Sequence, residues 1–422
     1  MSENLIVICQ RAASLLSLAL MGAAGVQLLF RLVRVLRGEE RAEGSLKRTR
    51  GARHKEMLLA AGAALASRVL VAAAAYAMMR MAGIEEGPIE SLERLWLHWD
   101  TRHYIGIAQE GYTAVGDERL RLVFFPLFPL LMRAFSIFTG GSVFYGGLLV
   151  SLLCSCVCAA LLCDLGMRHG GKKTAALSVG YFLLSPMSVF LNCAYTEALF
   201  IALTLGAVCL LRRGHPWLAA LCGAASALTR MPGVICAGFF IIAWIGKYAG
   251  KRAGAKDLLA CALQVLIVFS GLLIYWGINW AVTGNALMYL TYQKENWFQS
   301  AGSFWETAAT TVYYTIRTVG EEDWFFCWVT QLAAMFAIYA LLALRQKRLP
   351  FDLAAYSFVY IAVIFAPSWL LSGPRYLYGL CALPLLKAKM IRSGAVHGVL
   401  LTLSAALLVI YTFGYTLAVA VL

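Results

Sequence analysis

The sequence predicts an all-α, polytopic integral membrane protein, and three observations carry that prediction. The 422 residues are 61 % hydrophobic and only 14 % charged, against about 45–50 % and about 25 % in soluble domains. Mean hydropathy is +0.73. Apolar runs of spanning length recur along the whole chain, enough for about 11–13 transmembrane helices at about 20 residues each. The alternating ten-residue segments of an outer-membrane barrel do not occur.

The elements follow in order. Leu5 to about Leu36 is apolar for too long to be the core of a cleaved signal, and no small-residue cleavage pattern follows it, so it reads as a retained first span. A basic loop comes next, Glu40 to Lys55, with Arg41, Lys47, Arg48, Arg50, Arg53 and Lys55. Further basic turns are RHGGKK (Arg168–Lys173), RRGH (Arg212–His215), KYAGKRAGAK (Lys247–Lys256), RQKR (Arg345–Arg348) and KAKMIR (Lys387–Arg392). Lys and Arg hold short loops on the cytoplasmic side. That topology accounts for the net charge of +14 without nucleic acid.

The turning points between the basic loops then face the other side: 84–120, the region around Asn192, 283–323, and Ser372–Tyr378. The chain divides into an N-terminal span and basic loop (1–56), a core carrying external loop 84–120 (57–246), and a C-terminal region with external loop 283–323 (247–422). Short amphipathic helices are expected in the first of those loops. RLVFFPLFPLLMRAF, Arg121–Phe135, has Pro126 and Pro129 inside an apolar stretch and predicts a broken or re-entrant segment. Arg230, Pro232 and Gly233 interrupt the run from Trp217 to Trp244 in the same way. The twelve Cys include no CxxC pair. Cys154, Cys156, Cys158 and Cys163 lie within one apolar helix and read as small hydrophobic side chains, not metal ligands.

The candidate chemistry sits on the non-basic side. In LHWDTRHYIGIAQEGY, Leu97–Tyr112, Asp100 and Gly111 bracket a short helix as N-cap and C-terminal stop. Asp100 could be a cap and nothing more, with Trp96, Trp99, Tyr104 and Tyr112 as an interfacial aromatic belt. A cap needs only one acceptor, however, and His98, Arg102, His103 and Glu110 crowd the same segment. LLSPMSVFLNCAYTEALF, Leu183–Phe200, places Asn192, Tyr195 and Glu197 between apolar helices. A carboxylate there is costly unless paired, so Glu197 is either functional or the structural partner of Arg230. In SGPRYLYG, Ser372–Gly379, Arg375 is either a membrane-boundary anchor or a fork for phosphate. YQKENWFQS, Tyr292–Ser300, sets aromatic planes beside amides, which suits a carbohydrate and equally suits a membrane surface. GxGxxG, Walker, HExxH and DxD motifs are absent, and the missing DxD argues against a metal–nucleotide-sugar site.

Taken together and in this order, WDTRHYIGIAQEGY, FFPLFP, SPMSVFLNCAYTEALF, LTRMPG and PRY resemble the PIG-V type of mannosyltransferase, the GPI mannosyltransferase II family. Trp99, Asp100, His103, Tyr104, Ile107, Ala108, Gly111 and Tyr112 fill the first motif. Phe124, Phe125, Pro126, Phe128 and Pro129 fill the second. Ser185, Pro186, Ser188, Phe190, Tyr195, Glu197, Leu199 and Phe200 fill the third, with Thr196 where Ser is usual. The likeness is good from Trp96 to Gly233 and looser beyond.

The resemblance implies a GT-C glycosyltransferase, a multi-span helical enzyme working on the non-cytoplasmic face with its essential acid in the first large external loop. Asp100 inherits the catalytic role. His103, Arg102, Arg230 and Arg375 become candidates for the donor phosphate, and Trp99, Asn192, Tyr195 and Glu197 for the acceptor or the framework. The implied partners are a polyprenyl- or dolichyl-phosphate mannose donor, a glycolipid acceptor and membrane lipids. A monophosphate donor demands no divalent metal, so no cofactor is expected, and single displacement would give an α-mannoside. The compact chain and the lack of an N-x-S/T sequon on external loops point to a bacterial relative in a plasma membrane, with a glycolipid or envelope glycan as acceptor. In a eukaryote the same protein would sit in the endoplasmic reticulum. Competing readings are a lipid or polysaccharide transporter, and a GT-C enzyme for another sugar or a protein acceptor. A transporter would place its ionisable residues along a mid-membrane path, whereas here they gather near one boundary. Asp100, Glu197 and Arg375 are accordingly expected to line one cavity.

Overall fold

The computed structural model describes residues 3–42 and 52–418. Lys47, Arg48 and Arg50 of the first basic loop lie outside the described residues. Apolar composition leaves backbone polar groups no partner but one another, so the described chain is helical almost throughout. Ala301 and Pro367 form an isolated antiparallel bridge.

Seven helices among the described residues are long and apolar enough to cross a membrane, or nine if each of two bent pairs is one span. Two shorter apolar helices, Pro216–Ala227 and Phe351–Ile364, add to these, and the chain reaches several of its turning points by bending or reversing within apolar segments. Asp117–Val123 and Leu127–Thr139 meet at 105°, across the break that Pro126 predicts. Pro186–Asn192 and Glu197–Arg212 meet at 101°. Pro216–Ala227 ends before Arg230, and a 3-10 turn Met231–Cys236 leads into the next helix.

Val143–Leu183 hides a further turn. Its backbone leaves helical geometry at Gly170 and Gly171, the latter at φ 74°. A Cβ on Gly166 would lie 2.5 Å from the Cα of Ala175, although residues nine apart in a straight helix are about 13 Å apart. The chain therefore folds back at RHGGKK, and the arms 143–169 and 172–183 pack as a hairpin. This is the basic turn the charge pattern calls for.

Helices pack through small residues, such as Ala60, Ala64 and Ala75 of His54–Met81, which are buried. Their other faces carry exposed Leu58, Leu59, Val69 and Leu70. Small residues inside and branched aliphatics outside suit helices that associate in lipid. Loop 84–120 holds the expected short helices, Ser91–Trp96 and Asp100–Glu110, followed by the 3-10 segment Asp117–Val123. At this end of the bundle the breaks near 124–126, 193–196, 228–230 and 365–372 converge. Helix Met288–Trp297 crosses to the same cavity, where Gln293 and Trp297 join its lining.

Candidate active site

Asp100 is the first residue of its helix and does not cap it. Trp99, at φ 41°, occupies the cap position, a conformation costly for a bulky side chain. Packing holds it there: its indole lies 5.0 Å from the Tyr415 ring and 5.3 Å from His98. The turn leaves the Asp100 carboxylate free of helix amides. It accepts instead from Arg375 Nη1 at 2.8 Å. Gly111, at φ 85°, ends the helix as expected.

Glu197 opens its own helix after the 101° bend. Its side chain is 0 % exposed, and Oε1 accepts from Arg230 Nη1 at 3.0 Å and from Arg375 Nε at 2.5 Å. The pairing with Arg230 is the structural alternative raised from the sequence, and Arg375 joins it. Oε2 of Glu197 is buried without a hydrogen-bond partner among the described residues.

Both guanidiniums are seated on rings. Arg375 lies 4.3 Å from the centre of Tyr195 and 5.1 Å from Phe190. Arg230 lies 5.0 Å over Tyr376. Such stacking fixes a planar cation and leaves its N–H edge available. Arg230 owes its place to the turn behind it, where a Cβ on Gly233 would fall 2.2 Å from the Ala227 nitrogen. Arg375 sits in the one-turn helix Gly373–Tyr378. Gln331 positions that helix, accepting from the Gly373 amide at 2.9 Å and donating to the Leu370 carbonyl at 2.7 Å.

Asp100, Arg230 and Arg375 line one cavity of about 220 Å³, together with Tyr104, Thr196, Tyr376 and residues of the crossing helix. Glu197 stands behind the two arginines and not on the wall, a correction to the expected trio. His103 stacks on Phe124 at 4.7 Å and meets Trp297 edge-on at 6.1 Å. Burial holds its pKa below 6.5 against the pull of Asp100, so it presents a neutral ring near pH 7 rather than a cation.

The other sequence candidates are elsewhere. Arg102 is exposed and not among the cavity-lining residues, because positions two apart on a helix face different ways. Trp99 supports the turn. Tyr195 donates to the His98 carbonyl at 3.1 Å and carries Arg375 on its ring. Asn192 is bound to Arg68, accepting from its guanidinium at 3.0 Å and donating to its carbonyl at 2.9 Å.

Sequence reasoning missed Arg68, which also donates to the Ser188 and Leu183 carbonyls and so holds the segment leading to Glu197. Its signal was a lone charge within the Ala-rich apolar run 57–79. Gln331 was equally missed, and an amide inside a span offers a weaker signal. Gln293, Trp297 and Gln299, noted only as part of an ambiguous aromatic loop, line the cavity.

The family profile "Mannosyltransferase (PIG-V)" matches residues 78–340. The GPI alpha-1,6-mannosyltransferase 2 of Cricetulus griseus is 33 % identical over 166 residues, which is 37 % of this chain and 32 % of that protein. The protein of the same name from Mus musculus is 32 % identical over 201 residues, 43 % of this chain and 39 % of the relative. The alignments thus span less than half the length of either relative. Among solved structures, ArnT from Cupriavidus metallidurans bound to undecaprenyl phosphate aligns with a TM-score of 0.48 and 15 % identity, over 83 % of this chain and 76 % of that one. With a family match that begins before the Asp100 helix and runs past Trp297, the chain belongs to the PIG-V mannosyltransferase family.

Proposed function

We propose that the protein transfers mannose from a polyprenyl- or dolichyl-phosphate carrier to a glycolipid acceptor, by single displacement at the cavity containing Asp100. The observation that carries this reading is the meeting, in one cavity, of a carboxylate and two ring-seated arginines. An acceptor hydroxyl is a poor nucleophile, and a carboxylate within hydrogen-bond reach takes its proton as its oxygen attacks C1 of the sugar. The C1–O bond to the phosphate breaks, and its electron pair leaves with the phosphate oxygen. That oxygen needs charge stabilisation more than a proton, and Arg375 and Arg230 supply it with preorganised N–H groups. Two guanidiniums at the leaving group make a divalent metal unnecessary in this scheme. Displacement inverts C1, so a β-linked donor yields an α-mannoside.

Arg375 pairs with Asp100 at 2.8 Å. An incoming phosphate would share that guanidinium and leave the Asp100 carboxylate free to accept from the attacking hydroxyl. In this reading the site opens on the non-cytoplasmic face, which the charge pattern supports. Glu197 begins the helix that ends at the basic residue Arg212, and basic ends face the cytoplasm.

The test is transfer of labelled mannose from polyprenyl-phosphate mannose to a mannosyl glycolipid by purified wild type and Asp100→Asn. Loss of the base is expected to slow transfer about 10²- to 10⁴-fold. Equal rates in the two proteins would remove Asp100 from the chemistry.

A further inference from the structure

The helix crossing the cavity has no part in the scheme above, yet it is built with care. Residues 285–303 form a strap between the span Ala255–Thr283 and the helix Phe304–Arg317. The first end is tied where Asn279 Oδ1 accepts from the Tyr289 amide at 3.1 Å, and Arg119 lies 5.7 Å over the Tyr292 ring. At the other end the Ser368 amide donates to the Ser300 carbonyl at 2.9 Å, and the Ser300 amide donates to the Ser368 hydroxyl at 3.0 Å. Gly302 passes so close to the Ala366 carbonyl that a Cβ would sit 2.9 Å from it. Between these ties the Gln299 amide closes the helix onto the Gln293 carbonyl at 3.2 Å, with Phe298 at φ 54°. The closure brings Gln293, Trp297 and Gln299 onto one wall of the cavity.

That wall differs in chemistry from the part of the cavity that Arg230 and Arg375 form. Neither glutamine side chain makes a hydrogen bond with a described residue. A primary amide both donates and accepts, as a sugar hydroxyl does. The indole offers a flat apolar surface for the C–H face of a pyranose. None of the charged residues of the strap is among those lining the cavity. The two walls are ordered along one helix: Asp100 contacts Arg375, and His103, one turn later, meets Trp297. The helix that carries the carboxylate therefore touches both the cationic and the amide–indole parts of the wall.

We infer that the strap is the recognition wall for an uncharged hexose of the acceptor, stacked on Trp297 with its hydroxyls on Gln293 and Gln299. The naming of this sugar as the acceptor rests on the proposed transfer reaction; the sugar-binding wall itself does not. Two probes separate the walls: octyl α-mannoside, a neutral hexose, and undecaprenyl phosphate, an anionic headgroup without a sugar. Binding of each to the full chain in nanodiscs is measured by calorimetry for wild type, for Gln293→Ala combined with Gln299→Ala, and for Trp297→Phe as a milder change that keeps a ring. The double variant is expected to bind the mannoside at least about tenfold more weakly, having lost both amides, with phosphate binding unchanged. Trp297→Phe should lose less. Unchanged mannoside affinity in the double variant overturns the inference, and so does a parallel loss of phosphate affinity. If the wild type shows the expected binding pattern but no mannosyl transfer, the transferase reading fails and the sugar wall stands.

Discussion

Arg375 serves two acids at once, giving Nε to Glu197 and Nη1 to Asp100. Only a guanidinium reaches both with fixed geometry, so this position tests the site more sharply than the acids do. Arg375→Ala leaves a buried carboxylate one cation short, and breaking a buried pair from one side costs about 3–5 kcal/mol. Denaturant titration in micelles should register that loss, together with loss of transfer. Arg375→Lys should restore neither, and full activity in it would show that a point charge suffices. At this scale the sequence was informative about identity and about the Glu197–Arg230 pair, and silent about the two pairs that Arg375 makes. Asp100, Glu197 and Arg375 stood out as charged groups among hydrocarbon, which any reading of polarity can see. Their partnerships join residues 275 and 178 positions apart, and no local pattern records that. Arg102 misled for the opposite reason: it lies near Asp100 in sequence, and helical geometry turns it outward.

Among elements, the breaks matter more than the spans. The bends at Pro126 and near Gly233 were legible because proline and glycine act on their own backbone. The hairpin at Gly170–Gly171 was legible as a basic turn, although apolar helix runs on either side of it. The strap was not legible in the same way, since its aromatic and amide residues fit a membrane surface as well as a cavity wall until the Ser300–Ser368 bonds fix where it lies. Gly233 gives this scale its prediction. A methyl group there must displace the backbone of Ala227, at about 1–3 kcal/mol for such overpacking, and the displaced turn carries Arg230. Gly233→Ala should lower both the thermal midpoint and the transfer rate. A variant with wild-type values for both would mean that the turn yields without moving the guanidinium.

For the whole molecule, hydropathy settles the class, while bent and folded-back segments share single apolar stretches that hydropathy alone does not divide. The cavity draws Asp100 and Arg230 from the region 57–246 and Arg375 and the strap from 247–422. Neither half of the chain holds a complete site. With Glu197 buried behind the wall, the ion-paired cluster of Asp100, Glu197, Arg230 and Arg375 sums formally to zero although the chain carries +14. An electrically balanced pocket exerts little long-range pull, and salt screens only what would otherwise act at a distance. A substrate dissolved in the bilayer arrives by lateral diffusion and needs no such attraction. Apparent donor affinity should therefore shift less than about twofold between low salt and about 0.5 M NaCl. A steep decline over that interval would reveal unbalanced positive charge drawing the carrier in from afar.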